Sequence, residues 1–155
     1  MNFQLHALAA EQFRHLSSRT DDELAALGVR RMVVDATPGF PCRVSLSDGQ
    51  VGEVVYLLHY VHHDVASPYR SAGPIFVREG ATTARPEPNE IPLMFRHRLL
   101  SVRGYDEAAF MVAADVVQGQ DLEDSIRCLL EDPKVAYLHV HNAQPGCFNC
   151  RVDRV

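Results

Sequence analysis

The sequence predicts an α+β domain in which a few helices cover a mostly antiparallel β-sheet, and two observations lead to this class. Segments rich in Val, Leu, Ile, Tyr and Phe outnumber the segments with helical periodicity. Short runs containing Pro, Gly, Asp or Ser join most of them, as in hairpins and turns. This order does not fit an alternating βαβ array. The length of 155 residues fits one domain over residues 1–155.

The first predicted elements are a strand and two short helices. Residues 3–6 alternate apolar and polar side chains, as in a half-buried strand, and residues 9–16 fit a short helix. Residues 20–23 form a capping box, in which the threonine hydroxyl and the glutamate carboxylate each accept a hydrogen bond from the other's backbone N–H. Gly28 suits the position after a helix C-terminus, which predicts a helix over residues 21–27.

Four strands are predicted next, separated by turn-forming residues. Each is rich in β-branched and aromatic side chains, and they span residues 29–36, 43–47, 53–61 and 73–78. Several prolines between Gly80 and Pro92 exclude a paired strand, so we expect a surface loop there.

A short helix and a hairpin are expected after this loop. Asn89 is expected to cap a helix that carries Pro92 and Phe95. Residues 98–105 and 108–117 then fit two strands of a hairpin.

The C-terminal segment combines the most regular helix with a second hairpin. Apolar residues recur at helical spacing over residues 122–130, and Pro133 ends the pattern. Residues 135–142 and 148–152 fit a pair of strands joined by a turn at residues 144–146.

The net charge and the distribution of apolar residues argue against nucleic-acid and membrane partners. The net charge of −5 at pH 7 argues against nucleic acid, because phosphate binding needs clustered Lys and Arg. No apolar run approaches the roughly 18 residues of a membrane span, and the N-terminus lacks the pattern of an export signal. We therefore expect a cytoplasmic protein with a small-molecule ligand, no membrane partner and no nucleic-acid partner. In that compartment four cysteines are more typical of metal or redox chemistry than of disulfides.

Four potential metal ligands lie close together near the C-terminus. On the strand predicted over residues 135–142, His139 and His141 point to one face. Cys147 and Cys150 follow, with the two-residue gap that lets both sulfurs reach one centre across a tight turn. Together they predict a Cys₂His₂ site for a transition metal such as zinc. A version with three protein ligands and one water would instead predict hydrolysis.

The same residues allow other interpretations. The histidines can be ordinary sheet-face residues and the cysteines small buried thiols. Cys147 and Cys150 could also form a redox pair, and Cys42 beside a histidine could act as a nucleophile. Three further histidines near the end of the third predicted strand could complete any of these sites: His59, His62 and His63.

A second class of function is a metal-free module that binds a small anionic metabolite. Arg43, Arg70 and Arg78 lie beside turn-rich segments, and guanidinium groups bind carboxylates or phosphates through paired hydrogen bonds. Together with Cys42 they form a candidate ligand site. A third hypothesis is a structural or interaction protein without a small-molecule site.

Three segments of the sequence are similar to a known family. They are residues 39–46 (GFPCRVSL), 67–79 (SPYRSAGPIFVRE) and 137–154 (YLHVHNAQPGCFNCRVDR). They resemble a bacterial family catalogued as domain of unknown function 1203, and the resemblance covers nearly the whole chain. It implies a single-domain bacterial protein of the cytoplasm and supplies no activity, cofactor or substrate. The His and Cys cluster lies inside the third segment, so we expect a small binding protein or enzyme built around that cluster.

Overall fold

Ten strands and three α-helices make up the computed structural model, which describes residues 1–155. In chain order they are β1 (Phe3–His6), α1 (Asp21–Ala26), β2 (Arg30–Val33), β3 (Pro41–Cys42), β4 (Ser47–Asp48), β5 (Val54–His63), β6 (Ser71–Arg78), α2 (Leu93–Arg96), β7 (Leu99–Tyr105), β8 (Met111–Gln118), α3 (Leu122–Glu131), β9 (Tyr137–Asn142) and β10 (Phe148–Arg154). Three 3₁₀ segments cover Ala10–Gln12, Arg14–Ser18 and Gly119–Asp121.

The strands form two sheets of five strands each. The first sheet has the order β1-β10-β9-β7-β8 and is antiparallel throughout. The second has the order β2-β5-β6-β3-β4, in which only the short pairing of β3 with β6 is parallel. The predicted class, a mostly antiparallel α+β fold with a few helices, is confirmed.

Each sheet packs one face against its own hydrophobic cluster. Alternate residues of β7 and β9 enter a cluster of 16 buried side chains together with Ile126 and Leu130 of α3. The second cluster of 10 lies between β5, β6 and the N-terminal 3₁₀ segments. Both faces of β9 are buried, so the face of the first sheet opposite α3 must also be covered. The end of β5 covers this face, where its His62 ring stacks on the Phe148 ring of β10.

The N-terminal capping signals are confirmed. The Thr20 hydroxyl accepts a hydrogen bond from the Glu23 amide at 3.2 Å, and the Glu23 carboxylate accepts one from the Thr20 amide. Gly28 has a φ of +71°, the left-handed conformation that follows many helix C-termini. The helix therefore begins where the capping box places it and ends one residue earlier than predicted.

The strand predicted over residues 43–47 is wrong. Residues 43–46 form the turn between β3 and β4, and Leu46 has a φ of +49°, which no extended strand allows. Its apolar side chains are buried because this turn packs against the clusters, with Val44 in the second and Leu46 in the first. This buried turn therefore has the apolar composition that is typical of a strand.

Three other elements differ in their bounds or caps. The strand predicted over residues 29–36 is confined to β2, and the helix predicted over residues 9–16 is replaced by two 3₁₀ segments. Asn89 does not cap α2, whose first flanking residue is Pro92. Its side-chain oxygen instead accepts a hydrogen bond from the Phe3 N–H at 3.1 Å.

The longest helix is α3 with ten residues. None of the helices is long and apolar enough to cross a lipid bilayer.

Replacing Gly119 with alanine should destabilise the fold strongly. A Cβ atom at Gly119 would lie 1.8 Å from the Phe95 carbonyl oxygen, and backbone cannot yield as a flexible side chain can. We expect urea unfolding to show a loss of about 3 kcal/mol or more in the free energy of unfolding. Gly73→Ala is the matched control, because nothing lies within 4 Å of its Cβ position. Equal stability of the two variants would contradict this account of the packing.

Candidate metal centre

The face of the first sheet opposite α3 carries two buried histidines from β9. His139 is 3% exposed and His141 is fully buried, while Leu138 and Val140 alternate with them into the first hydrophobic cluster. This is the alternation that the sequence predicted for β9. It places two imidazoles side by side on the face that the second sheet approaches.

A third histidine comes from the end of β5. The pairing of β5 with β6 shifts register between Tyr60 and His63, and such irregularities change the direction of side chains. As a result, the consecutive residues His62 and His63 both contact rings of the first sheet. The His62 ring stacks on Phe148 of β10 with centroids 4.9 Å apart, and its centroid lies 5.0 Å from that of His141.

The three rings present nitrogens to one another. One ring nitrogen of His62, one of His139 and one of His141 all lie within 4.8 Å of each other. Each ring also has a buried nitrogen without a hydrogen-bond partner: His62 Nδ1, His139 Nδ1 and His141 Nε2. Buried polar atoms are almost always hydrogen-bonded, so three unpartnered ones in one cluster require a partner such as ordered water or a bound ion.

The three imidazoles are neutral at physiological pH. Burial lowers the pKa of His62 to about 4, that of His139 to about 2 and that of His141 to about 3, and neighbouring cationic groups add to the effect. A neutral imidazole keeps a lone pair on one nitrogen, which is the form that binds a metal ion.

The turn between β9 and β10 orients His141. Its Nδ1 lies 2.9 Å from the carbonyl oxygen of Gly146, so the neutral ring donates its N–H there and keeps its lone pair on Nε2. Gly146 has a φ of +80°, which the turn needs in order to bring this carbonyl back to the strand. Backbone acceptors of this kind fix the tautomer of metal-binding histidines.

A cavity of about 350 Å³ opens beside the cluster. His62 and His139 line it, and so do His63 and Tyr137. His63 has both nitrogens occupied, since it donates from Nδ1 to the Tyr69 carbonyl at 2.8 Å and accepts from the Tyr137 hydroxyl at 2.7 Å. His63 is therefore not a free ligand, and the cavity gives a small molecule access to the other two histidines.

The structure does not bring Cys147 and Cys150 to the histidines. Cys150 is the register partner of Val140 and lies with it in the first hydrophobic cluster, on the opposite face from His139 and His141. Burial raises the pKa of the Cys150 thiol. The β10 strand shifts register between Phe148 and Cys150, and this bulge turns Phe148 toward the histidines and Cys150 toward α3.

Cys147 and Cys42 also lie away from the histidine cluster. Cys147 lies in the turn, where its sulfur accepts a hydrogen bond from the Asn142 amide at 3.4 Å. Cys42 lies in the second hydrophobic cluster, and its sulfur accepts from the backbone N–H groups of Ser45 and Arg78. The principal site predicted from the sequence therefore contains two of the three clustered histidines, and the third, His62, was named only among the residues that could complete a site.

The three arginines of the anion hypothesis do not converge. Arg70 is exposed and pairs with Asp64, and Arg78 pairs with Glu53 at 3.3 Å. Arg43 is 1% exposed and lines a different cavity from Arg78. Only Arg43 therefore combines deep burial with access to a cavity.

Comparison with known proteins identifies one family. Residues 39–154 match the family described as protein of unknown function (DUF1203). The matched range covers most of the chain and includes His62, His139 and His141. No curated protein and no solved structure matches the chain.

The metal-free protein should lose stability in mild acid. The pKa values of His62, His139 and His141 are lowered below the unfolded value of about 6.5, so the unfolded chain takes up protons first as the pH falls. The free energy of unfolding is then highest above about pH 6.5. It decreases from there toward about pH 4, by up to about 1.4 kcal/mol per pH unit for each histidine.

Urea unfolding of chelator-treated protein at several pH values between about 7.5 and 5 measures this slope. His139→Gln should reduce it, because the variant removes one proton-binding group from the unfolded chain. His59→Gln, which changes an exposed histidine of the same strand as His62, should change it little. A free energy of unfolding that stays constant down to about pH 5 would contradict the burial of neutral imidazoles.

Proposed function

The chain belongs to the DUF1203 family, and we propose that this member binds a divalent transition metal, with zinc as the best fit, through His62, His139 and His141. One observation carries the proposal: three neutral imidazoles each leave one buried nitrogen unpartnered in a single cluster. Imidazole nitrogen is a preferred ligand of zinc and of other late first-row metals. Nitrogens around a tetrahedral zinc ion lie roughly 3.4 Å apart, so small ring rotations suffice to close the cluster.

The ligand count favours a reactive centre over a structural one. Structural zinc sites use four protein ligands, whereas catalytic sites use three and leave a position for water. Zinc lowers the pKa of such a water to about 7, which makes hydroxide available near neutral pH. The adjoining cavity of about 350 Å³ has room for a small substrate. We therefore propose metal-assisted attack of water on a small molecule as the reaction class.

The hydrogen-bonded pair of His63 and Tyr137 adds a second chemical group to the same cavity. The Tyr137 hydroxyl donates to His63 Nε2 at 2.7 Å, and both residues line the wall beside His139. A hydroxyl held by an imidazole can donate or accept a proton at a bound substrate. We propose that this pair transfers protons in the reaction.

The proposed location is the cytoplasm. All four cysteines are free, and one of them, Cys128, is exposed. An exposed free thiol fits a reducing compartment. A net charge of −5 and a cavity of about 350 Å³ favour a small molecule over nucleic acid as the partner.

Removing one ligand should abolish tight metal binding. Protein purified without a histidine tag should contain about one equivalent of zinc by elemental mass spectrometry. His62→Gln, His139→Gln and His141→Gln should each lower the affinity by about 100-fold or more, measured by competition with a chromophoric chelator. Even the loss of a group that only supports a ligand costs about 10- to 100-fold.

Two control variants separate this assignment from the Cys₂His₂ model. His59→Gln changes an exposed histidine of the same strand, and Cys147→Ser removes the accessible thiol of the turn. Both should bind zinc as the unaltered protein does. A large loss of affinity in Cys147→Ser together with an unchanged His62→Gln would refute the three-histidine centre. Absence of metal binding in all proteins would favour a structural or interaction role.

An open coordination position can be tested by cobalt substitution. Three protein nitrogens leave room for an added anion, so azide should shift the visible absorption of the Co²⁺-substituted protein. Binding should saturate at one azide per metal. A cobalt spectrum that azide leaves unchanged would indicate a closed site and would contradict the proposed reaction class, while leaving metal binding itself intact.

A further inference from the structure

A second cavity, of about 530 Å³, shares no lining residue with the histidine cavity. Its wall includes Arg43 from the turn after β3 and Cys147 from the turn between β9 and β10. Phe148 connects the two places, because its ring contacts the histidines while its carbonyl oxygen accepts a hydrogen bond from Arg43 Nε at 2.7 Å.

Arg43 is a buried cation without an acidic partner. Its guanidinium donates to two backbone carbonyls, those of Phe148 and Pro41, and interacts with the Cys147 sulfur, but no carboxylate pairs with it. Burial lowers the pKa of Arg43, and the electrostatic and hydrogen-bond interaction of the guanidinium with the Cys147 sulfur opposes this shift. A guanidinium stays charged in proteins, so its burial is costly until an anion offsets the charge.

The other cationic group of the cavity is already neutralised. Arg98 forms a two-point ion pair with the Asp48 carboxylate, which His97 also approaches at 3.2 Å. Arg43 is therefore the arginine of this cavity that has no carboxylate partner.

The remaining wall is divided between apolar and amide groups. Leu57, Pro74, Phe76 and Leu99 supply apolar surface, and the Asn142 and Gln144 side chains supply amides. Such a wall has room for an organic group beyond the anion itself. A bare inorganic ion would leave the apolar surface without a contact.

We propose that this cavity binds a small organic acid, with its carboxylate at Arg43 and its apolar part against Leu57, Phe76 and Leu99. The guanidinium fork matches the two oxygens of a carboxylate. The site is distinct from the metal centre and does not require a bound metal.

The native thiols provide a direct test in the unaltered protein. Cys147 lines the cavity, Cys128 is exposed on α3, and Cys42 and Cys150 are fully buried. Benzoate should slow alkylation of Cys147 by iodoacetamide at least fivefold at saturation, as measured by peptide mass spectrometry. Cys128 is the internal control and should react at an unchanged rate. Benzamide, the neutral analogue, should not protect Cys147, and acetate should protect it only at higher concentration.

Two variants and a control assign the effect to Arg43. Gln144→Glu places a competing carboxylate at the exposed rim without touching the buried guanidinium, and it should raise the benzoate concentration for half protection at least tenfold. Arg43→Met should abolish protection. If Arg43→Met does not fold, Gln144→Glu alone decides. Arg70→Gln removes an exposed arginine already paired with Asp64 and should behave as the unaltered protein does.

Several results would overturn the proposal. These are absence of benzoate protection in the unaltered protein, equal protection by benzamide, protection by inorganic phosphate but not by benzoate, and undiminished protection in Gln144→Glu. Chelator-treated protein and His62→Gln should retain the benzoate effect. Failure of the metal proposal and failure of this one therefore give different results.

Discussion

The packing of Phe148 against the end of β5 holds the two sheets in the relation on which both candidate sites depend. Its ring stacks on His62 and lies 5.0 Å from the His139 ring centroid, while its carbonyl oxygen accepts from Arg43. One residue of β10 thus contacts the third histidine of the cluster and the buried arginine. The end of β5 and the turn after β3 therefore contact the first sheet at the same residue.

Local signals in the sequence were sufficient for much of the fold. The capping box, the glycine after α1 and the alternation along β9 each act over a few residues, so they can be read without knowing the tertiary structure. That alternation also identified His139 and His141 as neighbours on one face. The misassigned strand at residues 43–47 shows the limit of such signals, because apolar composition records burial and does not record whether the buried segment is a strand or a turn.

The composition of the site depended on two register shifts that no local pattern predicts. One, near the end of β5, turns His62 toward the first sheet, and the other, in β10, turns Cys150 away from it. The Cys-x-x-Cys spacing permits convergence only when both sulfurs stay on the same side of the chain. Here Cys147 lies in a turn, and the Cys150 side chain packs into the hydrophobic cluster beside α3. The two sulfurs therefore do not converge, although their spacing permits it.

The histidines of the cluster come from distant parts of the chain. The neighbouring pair His63 and Tyr137 is separated by 74 positions, and His62 is correspondingly far from His139. In the unfolded chain these imidazoles are dispersed, so an ion held at the cluster is bound by the native state alone. Such an ion adds about 4 kcal/mol to the free energy of unfolding when its free concentration is 1,000 times its dissociation constant. The resistance of the chain to proteolysis would then vary with the supply of metal in the cell.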